Sequence, residues 1–339
     1  MGSPLKVFLS NIHDPWFNLA TEDWIFREMD PNSRALYLWR NHESVVIGRF
    51  QNPWLECHTE KMEQDGVKLV RRQSGGGTVY HDLGNMNFTF FCGKKDFSKQ
   101  QHHSILNRAI HHFDIPSYAT SRNDILVDDR EGPKKISGSA FKEKRDRSFH
   151  HGTLLIDANL HRLQDYLNPA TRKMVGKGVQ SVRSNVANLR DFNPTINAEK
   201  LTRVIIHQFC DFYQNDCQIQ HLDESSLTQI PCLNDYYEKL KDWKWRFGET
   251  PKFELQLEND FYWGKFSLNL GVHKGTVKKA QWESMDFHPE ILQRLEESML
   301  GSLYTGEGFR SAFLGIQQEF PFIEAELQEL LEWLLTKIR

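Results

Sequence analysis

The segment richest in potential chemistry reads Arg71-Arg72-Gln73-Ser74-Gly75-Gly76-Gly77-Thr78-Val79-Tyr80-His81-Asp82. Three consecutive glycines let a backbone approach a ligand closely and present its N–H donors. The arginines at the entrance add planar, bidentate donors for a phosphate or carboxylate. A bare Gly-Gly-Gly is equally a flexible hairpin turn; the Arg, Ser, His and Asp around this one favour an anion cradle. It matches neither GxxxxGK[ST] nor GxGxxG, which excludes a P-loop and a dinucleotide fingerprint.

A second segment is Lys135-Ile136-Ser137-Gly138-Ser139-Ala140. Alternation in a short strand puts Lys135 and Ser137 on one face and Ile136 on the other. A lone lysine is usually a solvated charge, whereas phosphoryl chemistry uses one as a fixed cation for charge growing on transferring oxygens. Asn123-Asp124 opens the preceding strand, either as a strand-edge cap or as a carboxylate able to hold Mg2+ beside nucleotide phosphates. His150-His151-Gly152-Thr153 offers polar donors at a site edge. His102-His103 and His111-His112 lie on a helix with no acidic partner at metal-ligand spacing, so they read as surface. Residues 168–190 carry Arg172, Lys173, Lys177, Arg183 and Arg190 without any Asp or Glu. With Gly176 and Gly178 among them, they form either a basic loop able to close over an anion or a plain basic surface. No cysteine adjoins these motifs and no GxSxG elbow occurs, so nucleophile candidates are poor.

The elements that must position these residues are legible in outline. Asp14-Pro15 reads as a cap and first-turn pair opening a helix with Phe17, Ala20 and Trp24 on one face. Strand-like runs follow at 35–39, 44–48, 67–70, 78–80 and 87–92, and again at 124–127, 135–137 and 151–156. Helices are expected over about 98–113 and 198–213. Several strand connections are too short for helical crossovers, so the sheet should be mixed or antiparallel, which disfavours a doubly wound parallel fold. After about Cys217 the composition shifts. Three strands near 253–257, 262–268 and 276–282 and two helices near 289–300 and 323–338 suggest a small α+β domain. The expectation is an α/β (α+β) chain with a larger domain over 1–245 and a smaller one over 250–339.

Composition limits the function classes. The 339 residues carry 42 Lys+Arg against 45 Asp+Glu, a net charge of −3, which argues against a globally basic nucleic-acid binder. Hydrophobic residues at 39% and aromatics at 12% exclude a disordered chain. Five dispersed cysteines without a CxxC pair argue against a disulfide framework or structural zinc and fit a reducing compartment. No apolar run reaches the roughly 20 residues of a membrane span. The N-terminus has no apolar signal core, carries Asp14, Glu22, Asp23 and Glu28 early, and offers Lys6 where a myristoylation signal wants Ser or Thr. A cytoplasmic protein without membrane or nucleic-acid partners is expected.

Taken together, the motifs resemble the lipoate–protein ligase A family. The segments are DPWFNLA (14–20), LWRN (38–41), SVVIGR (44–49), QNPW (51–54), RRQSGGGTVYHDLGN (71–85), RNDILV (122–127), KISGSAF (135–141), FHHGTLL (149–155), YLNP (166–169), KGVQSVRSNVANL (177–189) and WKWRFGETPKF (243–253). They run in order over nearly the whole chain. The resemblance implies a biotin/lipoate ligase-like mixed sheet with flanking helices and a smaller C-terminal accessory domain. It also implies a two-step reaction. Lipoate and ATP, with Mg2+, give lipoyl-AMP and pyrophosphate, and the acyl group then passes to a lysine of an apo lipoyl domain. Acceptors in such families are 2-oxoacid dehydrogenase E2 subunits and the glycine-cleavage H protein, and a monomer is the expected form.

By this resemblance Lys135 contacts the lipoyl carbonyl oxygen and the α-phosphate as an electrostatic clamp. Arg72, Gly77, Thr78, Val79 and Tyr80 match the nucleotide-contact stretch, and Lys177 and Arg183 fall in the adenylate-binding loop. Ser74, Gly75, Gly76, Gly138 and Ala140 lie along the lipoyl arm, Trp39 at its far end, and His81 and His151 at the wall. Asp124 is the Mg2+-side carboxylate, with Asn123 a polar neighbour. Gln73 and Thr78 stand where small residues are common. The rival readings are a lipoyltransferase that uses only pre-formed lipoyl-AMP, and a non-catalytic lipoate-binding protein. An octanoyltransferase would want a cysteine near Lys135 or His151, and a biotin ligase its own Gly/Arg-rich signature.

The charge is also segregated. Residues 66–78, 133–147 and 168–190 carry +3, +4 and +5, so the rest of the chain must carry −15. Near-neutrality therefore conceals three basic segments, and these are the ones expected to meet phosphate.

Overall fold

The computed structural model describes residues 5–167, 174–176, 179, 181 and 184–338. The chain divides into two compact units. The first comprises Met1–Arg49, Val67–Asp165 and Ser181–Asp242; the second comprises Phe50–Gly66, Tyr166–Gln180 and Trp243–Arg339. Among the described residues no helix is long and apolar enough to cross a membrane.

The first unit holds β1 (Leu5–Ser10), β2 (Ala35–Arg40), β3 (Ser44–Ile47), β4 (Lys68–Arg71), β5 (Val79–His81), β6 (Asn85–Gly93), β7 (Ser117–Ala119), β8 (Asp124–Asp129), β9 (Gly132–Glu143) and β10 (Arg147–Leu155). In the second unit, β11 (Met174–Gly176) pairs with a later strand, whereas β12 (Cys217–Leu222) returns to the first. An eight-stranded sheet in the order β12-β1-β2-β6-β10-β9-β8-β7 dominates, with β1 parallel to both its neighbours and the other pairs antiparallel. This is the mixed sheet that the short connections demand. A small sheet, β4-β3-β5, holds β3 parallel to β4 and antiparallel to β5.

Strand alternation gives the large sheet two different faces. Leu36, Leu38, Phe88, Phe90 and Leu154 join Ile105, Ile110, Ile205 and Phe209 from helices Lys99–His111 and Ala198–Tyr213 in one core. The intervening residues Tyr37, Trp39, Asn87, Thr89, Phe149 and His151 must face the other side. There helix α1 (Pro15–Glu28) covers the sheet, with Phe26 packed edge-on against Phe149 at 4.9 Å between ring centroids. Asp14 caps α1 as expected, accepting from Trp16 N at 2.8 Å and Phe17 N at 3.1 Å.

In the second unit β13 (Phe253–Phe261), β14 (Gly264–His273) and β15 (Thr276–Glu283) extend β11 into an antiparallel sheet of four. Helices Pro289–Met299, Gly306–Glu319 and Glu324–Ile338 bury Leu295, Phe313 and Leu330 in a core with Phe266, Leu268 and Trp282. Trp54, from the short helix Pro53–Glu56, joins that core against Tyr304 at 4.9 Å. Sequence reading misses Gly306–Glu319, whose three glycines disguise a Phe309–Phe313–Ile316 stripe.

The reading of His102 and His103 as surface is corrected. They lie on the stripe that carries Ile105, Leu106 and Ala109, and both are buried. His102 stacks on Phe90 at 4.5 Å and on His150 at 5.4 Å; His111 and His112 are exposed. Burial pushes His102 and His81 down to about 3 and His150 well below its ordinary value. Such histidines fold neutral, whereas in the unfolded chain they take up protons below about pH 6.5. The unfolded state then binds more protons than the native one, so stability falls as pH falls. Each of the three should cost about 1.4 kcal/mol per pH unit once the pH is well below 6.5. Urea midpoints measured from pH 7.5 down to 5 should therefore drop steeply below pH 6.5; a flat profile would contradict the buried neutral assignment.

Candidate active site

Strands β3 and β4 run parallel and end together, and β5 starts where they end, so residues 72–78 must cross over the tip of β3. The crossing is close. A Cβ on Gly48 would lie 2.2 Å from Gly76 O, and Gly76 itself has φ of +91°, a region that favours glycine. Arg49 N donates to Ser74 O at 2.8 Å, and Arg72 N to Ile47 O at 3.0 Å.

Arg72 is buried beneath this loop. Its Nε donates to Ser74 Oγ at 3.1 Å and Gly75 O at 3.2 Å, and Nη1 to Val46 O at 3.0 Å. Its Nη2 donates to both Gly75 O and Gly77 O at 2.7 Å. The guanidinium thus gathers the Gly75 and Gly77 carbonyls, which turns the N–H groups of the same two peptide units, those of Gly76 and Thr78, the opposite way. Desolvation lowers its pKa to about 10, opposed by the nearby Glu22. Arg71 is buried as well, donating to Arg49 O at 3.1 Å.

Lys135 Nζ pairs with Asp124 Oδ1 at 2.8 Å, with both side chains about a quarter exposed. The register of β8 against β9 slips between Ile125 and Leu126, making Ile136 a bulge residue. Simple alternation expects Lys135 and Ser137 on one face. The bulge instead sets Ser137 opposite the core residue Ile125, buried to 1% with its hydroxyl unpartnered, while Lys135 keeps the other face. Gly138 belongs with Lys135, since a Cβ there would lie 2.9 Å from Nζ. Asn123 has φ of +67°; its Oδ1 accepts from Lys99 at 2.8 Å and its O from Ser139 Oγ at 2.8 Å.

One segment knits the two motifs together. Thr78 N donates to Ser181 Oγ at 2.9 Å, and four residues later Lys135 N donates to Asn185 O at 2.8 Å and Ala187 N to Lys135 O at 3.1 Å. A Cβ on Gly76 would contact the Ala140 Cβ at 3.5 Å. Lys177 and Arg183 lie outside the described residues.

Trp39 and His81 are buried with rings 5.9 Å apart, and Asn41 Nδ2 lies 3.1 Å from His81 Nδ1. Tyr80 is buried, its hydroxyl donating to Glu43 Oε1 at 2.7 Å, while Val79 is half-buried. His151 Nε2 meets Ser74 Oγ at 2.7 Å, and its Nδ1 meets Glu22 Oε1 at 2.7 Å. Sequence reading did not assign Glu22, Asn41, Gly48 or Ser181 to the site. Glu22 had a signal: it is an acid on a helix whose other faces carry Trp16, Phe17, Leu19 and Ile25. Such a charge is buried only with a partner.

The first unit is thus an α/β domain that carries a glycine loop built on a buried arginine and a lysine paired with a carboxylate, and the second is an α+β unit. Residues 14–210 match the family described as "Lipoyl protein ligase A/B catalytic domain", and 250–334 match "Bacterial lipoate protein ligase C-terminus". The lipoate-protein ligase A of Psychrobacter cryohalolentis is 45% identical over 98% of this chain and 99% of its own length. The crystal structure of P. falciparum LipL1 in complex with lipoate superposes with a TM-score of 0.66 at 31% identity, covering 98% of this chain and 99% of that one. A bi-partite lipoate protein ligase from Thermoplasma acidophilum shares the fold at a TM-score of 0.61 and 23% identity, covering 73% of this chain and 97% of that one. This chain belongs to the lipoate–protein ligase A family.

Gly48→Ala should force the loop off the tip of β3 and destabilise the protein by about 1–3 kcal/mol. Urea unfolding measures this; stability within about 0.5 kcal/mol of wild type would show that the loop does not depend on that approach.

Proposed function

We propose that this chain, acting as a cytoplasmic monomer, activates lipoate with ATP to lipoyl-AMP and pyrophosphate. It then transfers the lipoyl group to a lysine of apo lipoyl domains, those of 2-oxoacid dehydrogenase E2 subunits and the glycine-cleavage H protein. The observation that carries this reading is that Ser181 bonds the glycine loop while Asn185 and Ala187 bond Lys135. Two anion-binding elements on one continuous surface suit a substrate that has phosphate at one end of its reacting group and a carboxylate at the other.

A carboxylate is a poor acyl donor because its leaving group would be oxide, and adenylation substitutes a phosphate. A lipoate oxygen attacks the α-phosphorus, and the bond to pyrophosphate breaks. Negative charge concentrates on the α-phosphoryl oxygens, where a positioned cation and oriented N–H groups lower the barrier. Lys135 is that cation, aimed by Asp124 and given room by Gly138. The Gly76 amide supplies an N–H group, turned away from the guanidinium because Arg72 holds the Gly75 carbonyl of the same peptide unit. Arg72 thus serves the nucleotide through the loop. In the second step the acceptor amine attacks the acyl carbon and AMP leaves.

No group of three or more His, Cys, Asp or Glu able to cage a metal occurs among the described residues. A single carboxylate still fits Mg2+, which takes its other oxygens from substrate phosphates and water. Asp124 would hold it, and the ion would neutralise phosphate charge there. Trp39 and His81 would close the far end of the acyl channel; His81, lowered to about 3 by burial, stays neutral and suits an apolar guest. The C-terminal family match over 250–334 favours the full ligase over a transferase restricted to lipoyl-AMP.

Incubation with lipoate, MgATP and an apo lipoyl domain should give the lipoylated domain by mass spectrometry. Modification with synthetic lipoyl-AMP alone would demote the chain to a transferase. Lys135→Ala should reduce adenylation by roughly 100-fold or more; full adenylation by that variant would remove the clamp.

A further inference from the structure

A buried hydrogen-bond chain runs from α1 to the glycine loop, and its direction can be worked out. Glu22 Oε1 accepts from Thr89 Oγ1 at 2.6 Å and faces His151 Nδ1 at 2.7 Å. A carboxylate only accepts, so Nδ1 carries the proton, and in the neutral ring Nε2 is the acceptor. Ser74 Oγ lies 2.7 Å from that Nε2 and donates to it. The competing acceptor for this hydroxyl, Gly75 O at 3.3 Å, is longer and already serves Arg72. Ser74 Oγ then has its lone pairs turned to Arg72 Nε, which donates at 3.1 Å. Every proton in the chain points one way, from Arg72 through Ser74 and His151 to Glu22. All four side chains are buried: Glu22 is 2% exposed, Ser74 1%, Arg72 6% and His151 7%.

We propose that Glu22 is a positioning residue for the ligand-binding loop, acting through the His151 tautomer on Ser74 and Arg72. Resting on the functional reading above, this assigns a role in substrate binding to a carboxylate that need not touch any substrate. If Nε2 carried the proton instead, Ser74 would become an acceptor at that contact and its hydroxyl hydrogen would turn toward the loop. There it would meet Gly75 O, 3.3 Å away, and compete with Arg72 Nε and Nη2 for that carbonyl, loosening the grip that sets the loop. Two further observations agree. Glu22 opposes the desolvation that lowers the Arg72 pKa, so the two ends of the chain sense each other. A second strap runs parallel to it: Gln73 Nε2 donates to Asp23 Oδ2 at 3.4 Å and Lys142 Nζ to Gln73 Oε1 at 3.1 Å. The loop is therefore tied to α1 at adjacent residues on both sides.

The test is a double-mutant cycle between Glu22→Gln and Ser74→Ala, read in KM for ATP and lipoate, together with the His151 tautomer from ring 15N shifts of the ligand-free protein. Wild type should show the Nδ1–H tautomer. Glu22→Gln should shift it and raise KM about fivefold or more while kcat changes less than about twofold, and that KM effect should largely vanish in the Ser74→Ala background. Additive KM effects, an Nε2–H tautomer in wild type, or a kcat loss tracking the folded fraction at unchanged KM would each overturn the proposal. If Glu22→Gln fails to fold, Thr89→Val, which removes the hydroxyl on Oε1, enters the same cycle with the same criteria. Wild type inactive with MgATP would sink the ligase reading, whereas the tautomer is read without substrate.

Discussion

The site depends on a positive charge placed where solvent cannot reach it. Burying the Arg72 guanidinium is costly unless its donors are met, and they are met by the carbonyls of Val46, Gly75 and Gly77 and by Ser74 Oγ. That requirement shapes the loop. Three carbonyls must converge on one planar fork, which glycine permits at Gly76 and Gly48 makes possible from below. Because a trans peptide sets its N–H opposite its C=O, holding the Gly75 and Gly77 carbonyls also fixes the Gly76 and Thr78 amides. The loop is thus shaped without help from a ligand, the condition under which oriented dipoles contribute most to a reaction.

The two cations of the site therefore have different duties. Arg72, interior and engaged, builds the loop. Lys135, a quarter exposed and tethered to a single carboxylate, keeps an ammonium near the surface where substrate phosphate would arrive. The helix that buries Glu22 reaches the loop through His151, while Ser181 bonds the loop and Asn185 and Ala187 bond Lys135. Segregated charge in an almost neutral chain follows: basic residues gather in three segments while the rest is acidic.

Much of this was legible in the sequence. The glycine loop, Lys135, the capped first helix and the helix over 198–213 follow from turn chemistry and periodicity. What was hidden depended on partners far away in sequence. Periodicity of two cannot show a bulge, so the side to which Ser137 turns was misjudged. A histidine pair on a helix looks polar until the stripe through Ile105 and Ala109 is followed back through His102. The direction of Arg72 was invisible because an arginine beside glycines suits an external anion and an internal carbonyl cluster equally. Nor could composition reveal that residues 50–66 and 166–180 fold with the C-terminal unit, since that grouping is set by packing around Trp54 and pairing with β13.

The central claim is that Arg72 orders the loop before any ligand binds. Hydrogen exchange of the Arg49 and Thr78 amides, bonded to Ser74 O and Ser181 Oγ, tests it directly in the ligand-free protein. Arg72→Lys, which keeps the charge but not the fork, should speed exchange at both amides by about tenfold or more while leaving helix Lys99–His111 unchanged. Equal exchange in wild type and variant would show that the loop holds its shape without the guanidinium, contradicting the claim.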